Sequence, residues 1–183
     1  MFVTAASSLQ KTANDHLIAN ETVFTSHFFL PYQRAIETAL TILSDVRRQM
    51  NPVHEVCTIA FRLKSPASIR GKLLKKHLPV TAACAHAALQ DIAGLRVVLR
   101  STQDVYRFAD LLRSSPQLEL IEEHDYIALP KKSGYRSLHL IIRIPVYIDN
   151  QLHMVPAEIQ LRTAPMDMWA SIEHALIYKP VPF

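Results

Sequence analysis

A chain of 183 residues, 49% apolar and 20% charged, has the make-up of an ordinary soluble globular protein and is long enough for one domain with a real core. Its formal charge of +4 permits a polyanionic partner without demanding one, and a nucleotide satisfies it as well as RNA does. Two distant cysteines, Cys57 and Cys84, exclude a disulfide framework or a zinc site, the start "MFVTAASSLQK" lacks the pattern of a signal peptide, and no apolar run is long enough to span a bilayer, so the expectation is a cytoplasmic protein with no membrane partner.

Residues 1–30 read as an extension ahead of a motif-bearing core over 31–179, within a single domain of 1–183. "PYQRAIETALTILSDVRRQM" predicts a helix with Pro31 in its first turn. Ile36, Ala39, Leu40, Leu43, Val46 and Met50 recur along it at helical spacing. Asn51-Pro52 should end it. In "FRLKSPASIRGKLLKK", Phe61 and Leu63 alternate with Arg62 and Lys64 as in a short strand. Ser65 caps the next helix, Pro66 sits in its first turn, and Ile69, Leu73 and Leu74 are its expected inward stripe. "HLPVTAACAHAALQ" reads as a loop with room for a short helix, "LRVVLR" as a strand. "STQDVYRFADLLRSS" is a helix with Val105, Phe108, Ala109 and Leu112 inward. "QLELIEEHDYIAL" suggests strand, turn and strand. "RSLHLIIRIPVYI" puts Leu138, Leu140, Ile142 and Ile144 on one face. Asp149-Asn150 marks a hairpin, "HMVPAEIQLRT" returns, and "APMDMWASIEHALIY" is a final helix. The class is α/β or α+β, a mixed β-sheet flanked by helices.

Three glycines leave no glycine-rich phosphate loop, so side chains must hold any phosphate. Nine histidines are scattered, with no H-x-x-x-H pair for a helical zinc site. Arg62, Lys64, Arg70, Lys72, Lys75 and Lys76 lie within fifteen residues. Lys72, Lys75 and Lys76 share a helix face, which a solvated basic surface explains as well as a ligand does. Arg62 and Lys64 alternate with apolar residues, so both point one way. Asp91 stands just before a strand, and Glu158 shares a strand face with Gln160 and Arg162. One aspartate and one glutamate from neighbouring strands suit Mg²⁺, which takes its other ligands from phosphates and water. An ion pair between Glu158 and Arg162 is the plainer alternative, and both stand at this level. In "KKSGYRSLHL", Tyr135, Ser137 and His139 fall on the polar face of their strand. Gly134 allows a backbone conformation that other residues resist and a close approach by a flat ligand. An aromatic ring there, among Lys131, Lys132, Arg136 and His139, points to an anionic, aromatic ligand such as a nucleotide.

The ordered set "FRLKSPASIRGKL", "DIAGLRVV", "DYIALPKKSGYRSLHLII", "AEIQLRT" and "MDMWASIEHALIYK" resembles the synthetase domain of RelA/SpoT-type enzymes, and more closely the small alarmone synthetases. The resemblance runs from about Pro31 to Lys179. It implies a nucleotidyltransferase-like fold and transfer of pyrophosphate from ATP to the 3′-OH of GDP or GTP, giving (p)ppGpp and AMP. It implies Arg62 and Arg96 around the adenine, with Lys64, Lys72 and Lys75 around the ATP phosphates. Lys75 stands where an arginine is frequent, which keeps the charge but loses the fork. Asp91 and Glu158 match the Mg²⁺ carboxylates, and Glu158 also matches the base toward the 3′-OH. Tyr135 matches the ring that stacks on guanine. Lys131, Arg136, His139, Gln160, Arg162 and Asp167 fall in the acceptor motifs, His139 within the catalytic set. Relatives that modify the 3′ end of tRNA, or that make adenosine alarmones, are alternatives, as is a non-catalytic binding module. The chain stops at "YKPVPF", where the family usually continues into helices that build homo-oligomers, so oligomeric state stays open. "CTIAFRLK" and "VTAACAHAAL" depart from the family pattern, and product allostery is not implied.

Overall fold

A computed structural model describes residues 23–50 and 56–178. Helix α1, Ser26–Gln49, starts earlier than expected, so Pro31 is its sixth residue rather than part of its first turn. The reason is apolar: Phe28 and Tyr32 extend the buried stripe of Ala35, Ile36, Ala39, Ile42, Leu43 and Val46 by two turns. That packing outweighs the one backbone hydrogen bond that a proline cannot donate. Met50 turns extended and stops the helix, while Asn51-Pro52 lies outside the described residues.

Strand β1, Val56–Leu63, leads through the cap at Ser65 into α2, Pro66–Lys75. Ser65 Oγ accepts the Ser68 N–H, and Pro66 opens the helix, as the sequence indicates. Ile69 and Leu73 are fully buried, but Leu74 is 52% exposed. The inward stripe is one residue wide because Leu74 lies about 100° around the helix from Leu73. A short helix, α3, Ala82–Ala88, forms behind Thr81, whose hydroxyl caps it.

His86 on α3 stacks on Tyr32 of α1, with ring centroids 5.5 Å apart and planes at 10°, and lies 2.7 Å from the Tyr32 hydroxyl. Burial pushes the Tyr32 phenol up and the His86 imidazole down. The folded histidine therefore resists a proton that the unfolded chain takes up near pH ~6.5. Its penalty is absent above that value and grows as pH falls toward the lowered folded pKa. The urea midpoint should fall between about pH 7.5 and 5.5, less steeply in His86→Asn, which still accepts from Tyr32 but does not titrate. Equal slopes would contradict the assignment.

Strand β2, Ala93–Leu99, precedes α4, Thr102–Arg113, which opens on a capping box between Ser101 and Asp104. Strand β3 is Glu119–Asp125. The second strand expected before Leu129 does not form. Asp125 Oδ1 accepts the N–H groups of Ile127 and Ala128, both at 2.9 Å, and curls the chain into a turn. Strands β4, Leu138–Ile148, and β5, Gln151–Thr163, make the expected hairpin. Asp149 and Asn150 sit at φ 50° and 61°, as a two-residue hairpin turn requires. Helix α5, Ala164–Tyr178, closes the described chain.

The sheet order is β1-β2-β5-β4-β3, with β2 parallel to β5 and the other pairs antiparallel, a mixed sheet as anticipated. Register puts Leu95, Val97, Ile159, Leu161, Leu138 and Leu140 on one face. That face is the core, and α1 and α4 pack against it. The opposite face is left for polar groups.

Candidate active site

Pairing builds the site row by row. Arg62 is opposite Gly94, Gly94 opposite Glu158 and Glu158 opposite Ile141. In the next row stand Ala60, Arg96, Gln160 and His139. Strand alternation turns all of these away from the core. Gly94 carries no side chain, so the Arg62 side chain can lie over it, its Cγ 3.5 Å from where a Cβ would stand. The result is a cavity of about 940 Å³, the size of a nucleotide site. Arg62, Lys64, Ser68, Lys72, Asp91 and Arg96 line one end; Lys131, Tyr135, Glu158, Gln160 and Arg162 line the other. Ala170, Ser171 and Glu173 of α5 complete it. Another cavity, between α1 and β4, has one carboxylate, Glu37, and no cation in its lining, so it does not suit a phosphate.

Asp91 Oδ2 is held by two ammonium groups, Lys72 Nζ at 2.7 Å and Lys64 Nζ at 3.0 Å. Burial pushes its carboxyl up, but the two lysines outweigh burial and hold it below the usual range. Asp91 Oδ1 is buried and has no hydrogen-bond partner. Glu158 is paired on both oxygens, with His139 Nδ1 2.9 Å from Oε1 and Gln160 Nε2 2.7 Å from Oε2. Burial raises its pKa, and these partners outweigh burial, so it too lies low, with the Asp91 charge pushing back. The two carboxylates are thus ionised and electrostatically coupled.

Among the described residues, no group of three or more His, Cys, Asp or Glu could hold a metal by itself. The orphaned Asp91 oxygen beside Glu158 fits instead a hard cation that draws its other ligands from substrate phosphates and water.

Arg162, 5% exposed, is the hub of the Tyr135 end of the cavity. Its Nη2 donates to the Tyr135 hydroxyl at 2.6 Å and to Gln160 Oε1 at 2.7 Å; its Nε donates to Ser137. Its ion pair is with Asp167 at 3.1 Å, so Gln160 stands between it and Glu158 in place of the simple pair the strand pattern allowed. Asp167 Oδ1 also takes Arg96 Nη1 at 2.9 Å and so ties the two ends of the cavity together.

Tyr135 and Ser137 lie just ahead of β4, in the loop that Gly134 begins. Gly134 has φ 81°, the left-handed conformation anticipated for it. The space beside its Cα is taken by Trp169, whose indole N–H donates to the Ser133 carbonyl. A Cβ at Gly134 would make only ordinary contact with Trp169 at 3.6 Å, so backbone strain, not collision, sets the cost of Gly134→Ala. A loss of about 1–2 kcal/mol is expected in chemical denaturation. Tyr135 is 8% exposed. Lys131 Nζ lies 4.8 Å from its ring centroid and 4.5 Å from that of Tyr126.

The fold therefore gathers Arg62, Lys64, Lys72, Asp91, Arg96, Lys131, Tyr135, Glu158, Gln160 and Arg162 around one cavity. His139 and Asp167 stand behind them, touching lining residues. Lys75 and Arg136 are exposed and outside the lining. Sequence reasoning missed Ser68, Tyr126, Trp169 and Glu173. The spacing of Asp167, Ala170 and Ser171 along one helix face was a signal for the α5 contribution. Tyr126 was hidden by the strand assigned to its segment.

A family model described as a region found in RelA/SpoT proteins matches residues 61–181. The chain is 39% identical over 153 residues to GTP pyrophosphokinase YwaC of Bacillus subtilis, covering 82% of this chain and 73% of that protein. It superposes on small alarmone synthetase 1 of Bacillus subtilis bound to its product pppGpp with TM-score 0.77 and 34% identity, over 84% of this chain and 79% of the other. Against that enzyme bound to AMPCPP the TM-score is 0.69 and the identity 30%, over 84% and 77%. The cavity of paired carboxylates and converging cations is thus carried by a chain that belongs to the RelA/SpoT family.

Proposed function

We propose that this chain is a GTP pyrophosphokinase that moves the β,γ-pyrophosphate of ATP to the ribose 3′-hydroxyl of GDP or GTP, releasing AMP and ppGpp or pppGpp. The observation that carries this reading is the pair Asp91, just ahead of β2, and Glu158, on the adjoining β5, in one groove lined by cations from β1, α2, β2 and β5. The named activity of the relatives supports it.

Arg62 and Arg96 flank the ATP base, and Lys64 and Lys72 leave Asp91 for the triphosphate. Tyr135 stacks on the acceptor base once Lys131 moves off its ring and turns to the acceptor phosphates. Arg162 and Asp167 hold the Tyr135 end rigid. The 3′-oxygen attacks the β-phosphorus, the bond from that phosphorus to the oxygen bridging to the α-phosphate breaks, and AMP departs with that oxygen. Glu158 takes the hydroxyl proton. Asp91 and Glu158 would hold Mg²⁺, which supplies charge neutralisation on the phosphates. Everything else is positioning, which such transfers chiefly need. Lys75 and Arg136 are exposed and stand outside the lining, so in this reading they reach the outer phosphates only after their segments move. In this reading the chain works in the cytoplasm, where its nucleotide substrates would be drawn from, and assembles with further copies of itself. In the described residues no helix is long and apolar enough to cross a membrane.

An acceptor competition tests the proposal. ATP labelled at the γ-phosphate is offered with GDP, GTP, ATP or deacylated tRNA, each separately and with Mg²⁺. Label on GDP or GTP is expected. Label on tRNA or on an adenosine nucleotide would move the function to the corresponding alternative, and no transfer would favour a binding module.

A further inference from the structure

The buried face of the site contains a closed ring of hydrogen bonds whose direction is fixed by chemistry alone. Arginine has only donors and an ionised carboxylate only acceptors. Arg162 donates to the Tyr135 oxygen at 2.6 Å, so the phenol proton must point elsewhere. Ser137 also stands near the phenol, but its Oγ already donates to the Leu161 carbonyl and accepts from Arg162 Nε, so the phenol proton goes to His139 Nε2, at 2.8 Å. That nitrogen must accept, so a neutral ring carries its proton on Nδ1. Nδ1 faces Glu158 Oε1 at 2.9 Å and donates to it. The second branch runs the same way. Arg162 donates to Gln160 Oε1, and Gln160 Nε2 donates to Glu158 Oε2, both at 2.7 Å. Both branches leave the one donor-only group and arrive at the one acceptor-only group.

The reverse tautomer fails at both ends. A proton on Nε2 would crowd the phenol oxygen beside the Arg162 N–H and take from the phenol proton its acceptor, and a bare Nδ1 would face a carboxylate oxygen. Tyr135, His139 and Arg162 are all under 9% exposed, so water does not readily relieve such a mismatch. The Tyr126 ring stands edge-on to the imidazole, at 5.2 Å and 87°, and fixes its plane. Burial holds the Tyr135 phenol in its protonated form.

We infer that the Tyr135 hydroxyl and His139 are positioning residues: they form a one-way chain that delivers an N–H to Glu158 Oε1 and fixes the orientation of that carboxylate. The inference rests on Glu158 being the base proposed above. It gives Tyr135 a second task apart from its ring, and links the ring that receives the acceptor to the group that receives its proton.

Three variants and one spectrum test this. Tyr135→Phe keeps the ring and removes the hydroxyl. Acceptor KM should stay within ~2-fold, while kcat should fall ~10-fold or more, the scale of losing an outer partner. His139→Ala should cost ~100-fold in kcat. His139→Asn, whose amide N–H can replace Nδ1–H toward Glu158, should recover about a tenth of the wild-type rate, on the same scale. In the free protein, ¹⁵N NMR of labelled histidine should show His139 as the Nδ1–H tautomer, identified by its loss in His139→Asn. Tyr135→Phe should turn it into a tautomer mixture. A wild-type Nε2–H or imidazolium signal, or full kcat in Tyr135→Phe, would overturn the inference. The spectrum needs no turnover, so it separates this failure from that of the base assignment, which Glu158→Gln reads directly.

Discussion

Replacing Glu158 by glutamine is expected to lower kcat by about 10³-fold, within the range for loss of a positioned general base. The substitution is nearly isosteric, but the surroundings do not forgive it. Both Glu158 oxygens face donors, His139 Nδ1 and Gln160 Nε2. The new amide must turn its NH₂ toward one of them. Gln160 cannot readily flip in compensation, because its oxygen already takes Arg162. Affinity for ATP should change by only a few-fold, since Arg62, Lys64, Lys72 and Arg96 lie on the other side of the groove. Equilibrium binding and single-turnover rates together check this. A variant with unchanged kcat would remove Glu158 from the chemistry.

Arg162→Ala is expected to have the largest effect on stability, a loss of about 3–5 kcal/mol in urea denaturation, as for one partner removed from a buried ion pair. Four groups lose a donor at once: Ser137, Tyr135, Gln160 and Asp167. Domains of this kind are stable by only about 5–15 kcal/mol, so such a loss is a large share of the total. Arg162→Lys should rescue little. Lysine keeps the charge, yet it cannot serve with three nitrogens in fixed directions. A lysine variant of wild-type stability would show that charge, not the fork, holds this end of the site.

Much of this was legible in the sequence because strands advertise their faces. Glu158, Gln160 and Arg162 could be placed together from alternation, and the leucines of "LHLIIRI" pointed to the opposite side. Asp149-Asn150 required positive φ and so marked its turn. Other features depended on contacts that no local pattern carries. The early start of α1 comes from Phe28 and Tyr32 meeting α3, across more than fifty residues of chain. The missing strand after β3 follows from one aspartate oxygen taking two backbone N–H groups. Leu74 looked apolar enough for the core but lies on the wrong side of its helix. Gly134 was correctly read as conformationally special, yet the neighbour beside it is Trp169, 35 positions further on. The pairing of Arg162 with Asp167, and not with Glu158, required the helix after β5 to fold back over the groove.

The most direct test follows the intact pyrophosphate. ATP carrying distinct labels in its β- and γ-phosphates is incubated with the protein, Mg²⁺ and GDP or GTP, and the products are separated. The account predicts both labels on the same guanosine nucleotide, attached at the 3′ position, with one unlabelled AMP for each molecule formed. Transfer of the γ-label alone with release of ADP, or both labels appearing only as free phosphate or pyrophosphate, would contradict it.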